Sequence, residues 1–346
     1  MIDDQIHCEG GLKHKPVKPL DAPVLAQSHT PIYKMHRYWA RRPYNVFAHI
    51  IQHYTNPGDL VLDPFCGGGV TVVESLKLRR RVVGIDINPL ATWITQVEVE
   101  PVDLDELEAA FNEWYKWCVE QVSPLFTAEC GKCGNRDAQA EWYEWSNVVV
   151  CPDCGKDVVL AEAEKRKNAI YMCPHKGCKG KFKPAKLERR SDKMIWVKTR
   201  CDKCKETDIR KPRPSDLRLA GKIERNEKKI VREEKLFIPD DEFPDMNYVR
   251  ENDLYTKGFK YFKDYFTSRQ RIAISRILKF LEQCSYKRDV YYSLLTVFTA
   301  SLRNTNRLSA RNPNWRGGNP EWGGHMYWPP SVYCEASTIQ LIAKNI

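Results

Sequence analysis

The stretch that decides the fold is Asp63-Pro64-Phe65-Cys66-Gly67-Gly68-Gly69-Val70-Thr71, DPFCGGGVT. It follows the apolar run Leu60-Val61-Leu62 and precedes VVESLKL, so it reads as strand, glycine turn, helix. Glycines let backbone approach a ligand closely, and a helix start offers free N–H groups. No Gly-Lys-Ser/Thr occurs, which argues against a Walker A loop, and Gly67-Gly68-Gly69 is not the Gly-x-Gly-x-x-Gly of a dinucleotide fingerprint. The next strand, Arg81 to Asp86, ends on an acid 17 positions after Gly69. In doubly wound folds an acid there holds ribose hydroxyls.

Outward from this turn, the 346 residues allow two or three domains, and the formal net charge is +10. That balance favours nucleic acid or another polyanion as partner. No apolar run approaches the roughly 20 residues of a membrane span, and MIDDQIHCEG carries no apolar signal region, so the chain reads as cytosolic with no membrane partner. Residues 1–30 read as a flexible arm. HRYWARRPYNVFAHIIQHY reads as helical after Pro43, with Val46, Phe47, Ile50 and Ile51 on one face. Leu104 to Val122 reads as an amphipathic helix capped by Asp103 or Asp105. Residues 161–236 concentrate the positive charge. Helices are expected at about 258–284 and 287–303, and the tail 304–334 as loop.

Of the thirteen cysteines, eight fall in pairs: Cys130/Cys133, Cys151/Cys154, Cys173/Cys178 and Cys201/Cys204. A two-residue gap lets one tight turn place two thiolates on one Zn²⁺, and two such knuckles complete a tetrahedron. The spacing leads to two consecutive zinc ribbons, the first two pairs closing one and the last two the other; interleaved pairing is the alternative. A closed four-thiolate site has no open position for water, so both Zn²⁺ would be structural. His175 could replace a thiolate, but the all-cysteine set is preferred. Cys8, Cys118, Cys284 and Cys334 have no partner spacing and are expected only to pack. Trp142, Tyr143, Trp145, Tyr171 and Trp196 read as exposed aromatics that could stack on nucleic acid.

DPFCGGGVT followed by RVVGIDINPLA resembles motifs I and II of S-adenosylmethionine-dependent amino-group DNA methyltransferases. YKMHRYWARRPYNVFAHII resembles their motif X. More narrowly, the chain is similar to adenine-specific DNA methylases with a zinc-ribbon insert, a likeness shared by Tyr265-Phe266-Thr267-Ser268-Arg269-Gln270 and by Tyr-Trp-Pro-Pro at 327–330. The resemblance implies an α/β fold: an incomplete Rossmann-like methyltransferase sheet with an inserted zinc-ribbon domain and a helical C-terminal region. Residues 31–125 would bind S-adenosylmethionine, 126–215 would form the tandem zinc-ribbon insert, and 216–346 would be a helical region and loop tail. The implied cofactor contacts are Asp63, Pro64, Phe65, Cys66, Gly67, Gly69 and Thr71 around the methionine end, Asp86 on the ribose, and Ile87 and Asn88 beside the adenine. Lys34, His36, Arg42 and Pro43 would be the motif X contribution. Two positions depart from the usual pattern: Gly68 stands for a serine and Val70 for a threonine.

The second motif of these enzymes, Asp/Asn/Ser-Pro-Pro-aromatic, holds the exocyclic amine and stacks on the flipped base. The chain's one Pro-Pro, Pro329-Pro330, follows Tyr-Trp and lacks the acid or amide. No catalytic residue is therefore assigned to this chain. The expectation is a cofactor-binding subunit of a DNA (adenine) methyltransferase, acting on double-stranded DNA in restriction–modification or phage defence, with a second subunit bringing the catalytic motif. The competing readings are a non-catalytic zinc-ribbon DNA-binding or specificity subunit and an RNA methyltransferase.

Overall fold

The computed structural model describes residues 18–343 except 188, 248, 250–253, 256, 311–318 and 321–328. The contacts divide the chain into two units, residues 1–100 and 101–346.

In the first unit, two short apolar runs form a parallel pair, β1 (Leu60–Asp63) and β2 (Arg81–Gly84), with Leu62 opposite Val83 and Asp63 opposite Gly84. The connection is the glycine turn and helix α2 (Val70–Lys77). Helix α1 (Tyr44–Tyr54) starts directly after Pro43 and packs on α2. Its buried residue is Ile51, with Phe47 packed against Val70 and Val73 of α2. Helix α3 (Pro89–Val99) was not anticipated. Its signal is a good one: Asn88 accepts from Leu90 N at 3.0 Å as N-cap, and Pro89 sits in the first turn.

Among the described residues of this unit, one face of the parallel pair is exposed. Leu60 is 59% exposed, Leu62 62% and Val83 44%. Parallel strands are normally covered on both faces, so this exposed apolar surface is what an unfinished sheet would leave.

The second unit is built on an antiparallel hairpin of two long strands, β4 (Ala138–Val150) and β8 (Arg189–Arg200). Among the described residues the sheet is eight-stranded. Its path runs β11 (Asn319–Pro320), β10 (Ser309–Ala310), β12 (Val332–Ala336), β4, β8, β9 (Thr207–Arg210), and β3 (Thr127–Ala128) and β5 (Asp157–Val159) also pair with β4. A separate two-stranded ribbon, β6 (Tyr171–Met172) with β7 (Lys181–Phe182), lies in the loop of the hairpin. The principal core contains Trp114, Phe126, Tyr143, Ile272, Leu281, Leu294 and Ile342. These come from helices α4 (Leu104–Gln121), α6 (Ser268–Gln283), α7 (Arg288–Leu302) and α8 (Thr338–Ile342), from the short 3-10 turn Ser123–Phe126 and from the sheet. Helix α5 (Pro214–Glu233) packs on α6.

Several expectations change here. Helix α4, capped by Asp103 Oδ1 as anticipated, belongs to the second unit and not with the glycine turn. The cysteine-rich segment and the C-terminal region are not separate domains, because β12 pairs with β4 from Val332↔Ser146 to Ala336↔Trp142. The tail is therefore not all loop: an apolar Val-Tyr-Cys-Glu-Ala run satisfies the free edge of the long hairpin. The helix expected from about residue 258 starts at Ser268, where Thr267 and Gln270 form a capping box. Residues 1–17, with Cys8, and Tyr327-Trp328 of the Tyr-Trp-Pro-Pro segment lie outside the described residues; Pro329 is buried. Among the described residues no helix is long and apolar enough to cross a membrane.

Candidate cofactor cleft and cysteine clusters

The glycine turn needs its glycines for stated reasons. Gly67 and Gly69 have φ of +50° and +79°, a region that side chains rarely adopt. A Cβ on Gly69 would stand 2.8 Å from Thr95 Oγ1. Gly68 has no such backbone demand, but a Cβ there would lie 2.7 Å from Arg41 Nε and 2.8 Å from Nη2. Arg41 is not free to retreat, because Nη1 donates to Glu98 Oε1 at 2.7 Å in a pair with side chains 5% and 1% exposed. The glycine that replaces the usual serine thus makes room for a buried arginine from the HRYWARRP segment.

Asp86 is built into the same turn. Its Oδ2 accepts from Gly67 N at 2.8 Å and its Oδ1 from Asn88 N at 2.8 Å. Asp63 Oδ1 accepts from Phe65 N at 3.0 Å. Both carboxylates keep lone pairs for a ligand. A cleft of about 360 Å³ opens over the turn, inside the range of small-molecule sites. Seven of the expected contacts line it: Arg42, Asp63, Phe65, Cys66, Gly67, Thr71 and Asp86. Tyr38, Trp39, Arg41, Phe47 and Gly68, not assigned from the sequence, line it too. Phe65 is 85% exposed and free to lie on a ligand.

The other expected contacts are not among the cleft's lining residues. Lys34 and Pro64 are exposed. His36 is buried with Nδ1 against Arg37 O at 2.9 Å, and burial holds its ring below the usual histidine range, hence neutral. Pro43 starts α1, Gly69 turns into α2, and Asn88 caps α3, so these three act on the backbone. Ile87 points fully into solvent. Burial also pushes the Cys66 thiol up, so it is a protonated packing group and not a nucleophile. Below the cleft, Tyr33 Oη donates to Glu74 Oε1 at 2.5 Å, and Arg41 lies over the Tyr33 ring at 5.3 Å. Burial pushes Glu98 up to about 7, against the pull of Arg41.

The eight paired cysteines form two clusters: Cys130, Cys133, Cys201 and Cys204, and Cys151, Cys154, Cys173 and Cys178. The sites are therefore nested, which corrects the expectation of two consecutive ribbons. The antiparallel hairpin is the reason. Cys130/Cys133 precede β4 and Cys201/Cys204 follow β8, so both pairs meet at one end. Cys151/Cys154 follow β4 and Cys173/Cys178 precede β8, so they meet at the other, roughly 40 Å away by strand rise. Sγ–Sγ distances are 3.6 and 3.7 Å in the first cluster and 3.7 and 3.8 Å in the second. A tetrahedron of thiolates about 2.3 Å from Zn²⁺ has edges of about 3.8 Å, so the donor sets fit that ion. Lys132 N and Gly180 N point at Cys130 Sγ and Cys178 Sγ, both at 3.4 Å, as in metal knuckles. The N–H of Cys204 and the Asn135 amide hold the Cys201 thiol down to about 6, burial opposing. His175 stands outside the cluster, its Nε2 on Asp157 O at 2.9 Å.

The aromatics expected to face nucleic acid do not form an open platform. Trp142 and Tyr143 are buried because β4 has partners on both edges and helices over it, and Tyr171 of β6 is buried in a separate cluster with Val158 and Phe182. Trp145 donates its indole N–H to Glu335 at 2.7 Å, and Trp196 carries Lys211 Nζ 4.0 Å from its ring centroid.

Comparison with known proteins bears on the first unit. Residues 14–96 match the DNA methylase family. The match covers the second half of the arm, the HRYWARRP segment, the glycine turn, Asp86 and most of α3. Three curated relatives align over parts of the chain. Type II methyltransferase M.MjaII of Methanocaldococcus jannaschii is 27% identical over 77 residues, 22% of this chain and 14% of the relative. M.EcaI of Enterobacter cloacae is 43% identical over 49 residues, 14% of this chain and 11% of the relative. M1.MboII of Moraxella bovis is 43% identical over 55 residues, 16% and 20% of the two chains. The alignments thus span between 11% and 20% of these relatives' lengths. No solved structure matches the chain. The DNA methylase likeness and the cleft coincide in sequence, and the cysteine clusters fall outside the matched residues.

Proposed function

We propose that this chain is the S-adenosylmethionine-binding part of a DNA methyltransferase acting on the exocyclic amine of adenine, in the setting of restriction–modification. The observation that carries the reading is the cleft over the glycine turn, with Asp86 hydrogen-bonded to Gly67 N and Asp63 beside it. The donor set suits this cofactor. Asp63 can accept the methionine ammonium, Asp86 keeps lone pairs for ribose hydroxyls, and Arg42 can meet the carboxylate. Phe65 and Trp39 offer apolar surface to the adenine and the sulfonium end. The cofactor would supply the methyl group; these residues bind and orient it.

The residues that grip the acceptor amine are assigned to another chain. The bare apolar face of β1 and β2 supports this, since further strands and helices would cover Leu60, Leu62 and Val83. On this reading the first unit is part of an incomplete Rossmann-like sheet that a second methyltransferase subunit completes. Two structural Zn²⁺ would pin the two ends of the long hairpin, and the basic segment 161–236 would meet double-stranded DNA phosphates.

The test is transfer of labelled methyl groups to duplex DNA by the chain alone and by the chain with the product of the neighbouring gene. Activity is expected only from the pair. Full activity from the isolated chain refutes the divided site, and absence of S-adenosylmethionine binding refutes the cofactor assignment.

A further inference from the structure

The segment Tyr265-Phe266-Thr267-Ser268-Arg269-Gln270 has no part in the cofactor cleft. It opens α6 in the second unit, on the wall of a cavity of about 400 Å³. Strands β4, β8 and β12 and helix α5 supply the other walls through Trp145, Arg189, Tyr333 and Ile223. The lining carries five arginines against three carboxylates.

Most of these charges are accounted for. Arg271 is bidentate on Glu227, with Nη2 to Oε2 at 2.7 Å. Arg190 pairs with Asp157 at the surface. Arg189 and Arg307 share one carboxylate, Asp192, which also accepts from Tyr333 Oη at 2.9 Å. Two arginines on one acid leave a cationic excess.

Arg269 is different. It is 3% exposed, yet its Nε and Nη1 have no hydrogen-bond partner among the described residues. The nearest acid, Glu335 Oε1, is 3.8 Å from Nε. That carboxylate is already engaged, accepting from Trp145 Nε1 at 2.7 Å and from Thr267 Oγ1 at 2.5 Å. The guanidinium rests over the Tyr143 ring at 3.9 Å, which supports its plane but leaves Nε and Nη1 without an acceptor. Arg307 Nε is likewise unpaired. A buried guanidinium with two nitrogens lacking acceptors is costly, and a purely structural arginine would be expected to have them.

We propose that this cavity binds a phosphate group, with Arg269 as its buried cation and the hydroxyls of Ser191 and Ser268 at its rim. Phosphate oxygens match the planar fork of arginine. The start of α6 adds free N–H groups and a positive helix end. The bound group would tie β12 and the start of α6 to the long hairpin. The inference is independent of the cofactor cleft, which lies in the other unit.

The test uses the full chain with inorganic phosphate and pyrophosphate, by equilibrium dialysis at fixed ionic strength. One saturable site is expected. Arg269→Gln should weaken it on the order of 10- to 100-fold. Ser191→Asp places a like charge on an exposed lining position and should weaken it at least about tenfold without touching the core. A short DNA duplex that competes for the site identifies a backbone phosphate as the natural ligand. A duplex that does not compete identifies a free phosphate compound. Uptake that does not saturate, or uptake unchanged in Ser191→Asp, overturns the proposal. Retained S-adenosylmethionine binding in both variants keeps this result separate from the cofactor assignment.

Discussion

The nested pairing of the cysteines makes a prediction that inverts under the consecutive alternative. Two double substitutions are needed, because three remaining thiolates can still hold an ion. Cys133→Ser with Cys204→Ser removes two ligands from one cluster and none from the other. Cys133→Ser with Cys154→Ser removes one ligand from each. A closed four-thiolate site contributes on the order of 10–16 kcal/mol of metal binding at neutral pH. Two thiolates retain too little of this to survive gel filtration against a weak chelator. A site with three thiolates plus water is weaker than the closed site and should be lost to a stronger chelator. Zinc is then counted by atomic absorption after each challenge. The native chain should hold two ions throughout. The Cys133/Cys204 variant should keep one ion through both challenges, because the Cys151 cluster is intact. The Cys133/Cys154 variant should hold none after the strong chelator. If the order is reversed, with one resistant ion in the Cys133/Cys154 variant and none in the other, the pairing across the hairpin is wrong. The thermal consequence should also be local. Loss of the Cys130 cluster frees the Ala138/Arg200 end of the hairpin, so amide exchange should quicken there before it does near Val149.

The cofactor cleft gives three further predictions. Asp86→Ala should weaken S-adenosylmethionine binding about 10- to 100-fold by calorimetry, through lost ribose contacts and a loosened Gly67; a change under threefold would refute the role of Asp86. Gly68→Ser should destabilise the first unit by about 1–3 kcal/mol in urea unfolding, because the new Cβ meets a guanidinium pinned by Glu98; a cost below about 0.5 kcal/mol would show that Arg41 can move. Glu98 in the folded chain is at about 7, above its unfolded value of about 4.3, so the folded state holds the extra proton between these values. Its contribution is fully present below about pH 4.3 and is lost as pH rises through 7, by about 3 kcal/mol at most; Glu98→Gln should flatten that slope.

The glycine turn, the strand before it, the acid at the end of the next strand and the eight paired cysteines were all legible from short-range spacing. Such features are local: a turn, a cap or a Cys-x-x-Cys knuckle is set by a few consecutive residues. Arg41 was not legible as a wall of the cleft, because nothing near it in sequence announces the buried Glu98, 57 positions on, that holds it. The aromatics of β4 were misread for the same reason. Their alternating pattern looks half-exposed until Val332–Ala336 is seen to close the strand's other edge.

By itself, then, the sequence determined which residues can turn around a cofactor, which can ligate a metal and where the positive charge is concentrated. The tertiary structure alone decided which cysteines cluster together, because pairing depends on two strands some fifty residues apart running antiparallel, and knuckle spacing carries no information about that direction. It also decided that β1 and β2 expose apolar side chains and that Arg269 lies buried with Nε and Nη1 lacking acceptors among the described residues. Both are properties of what surrounds a residue in space, and a one-dimensional pattern does not encode them.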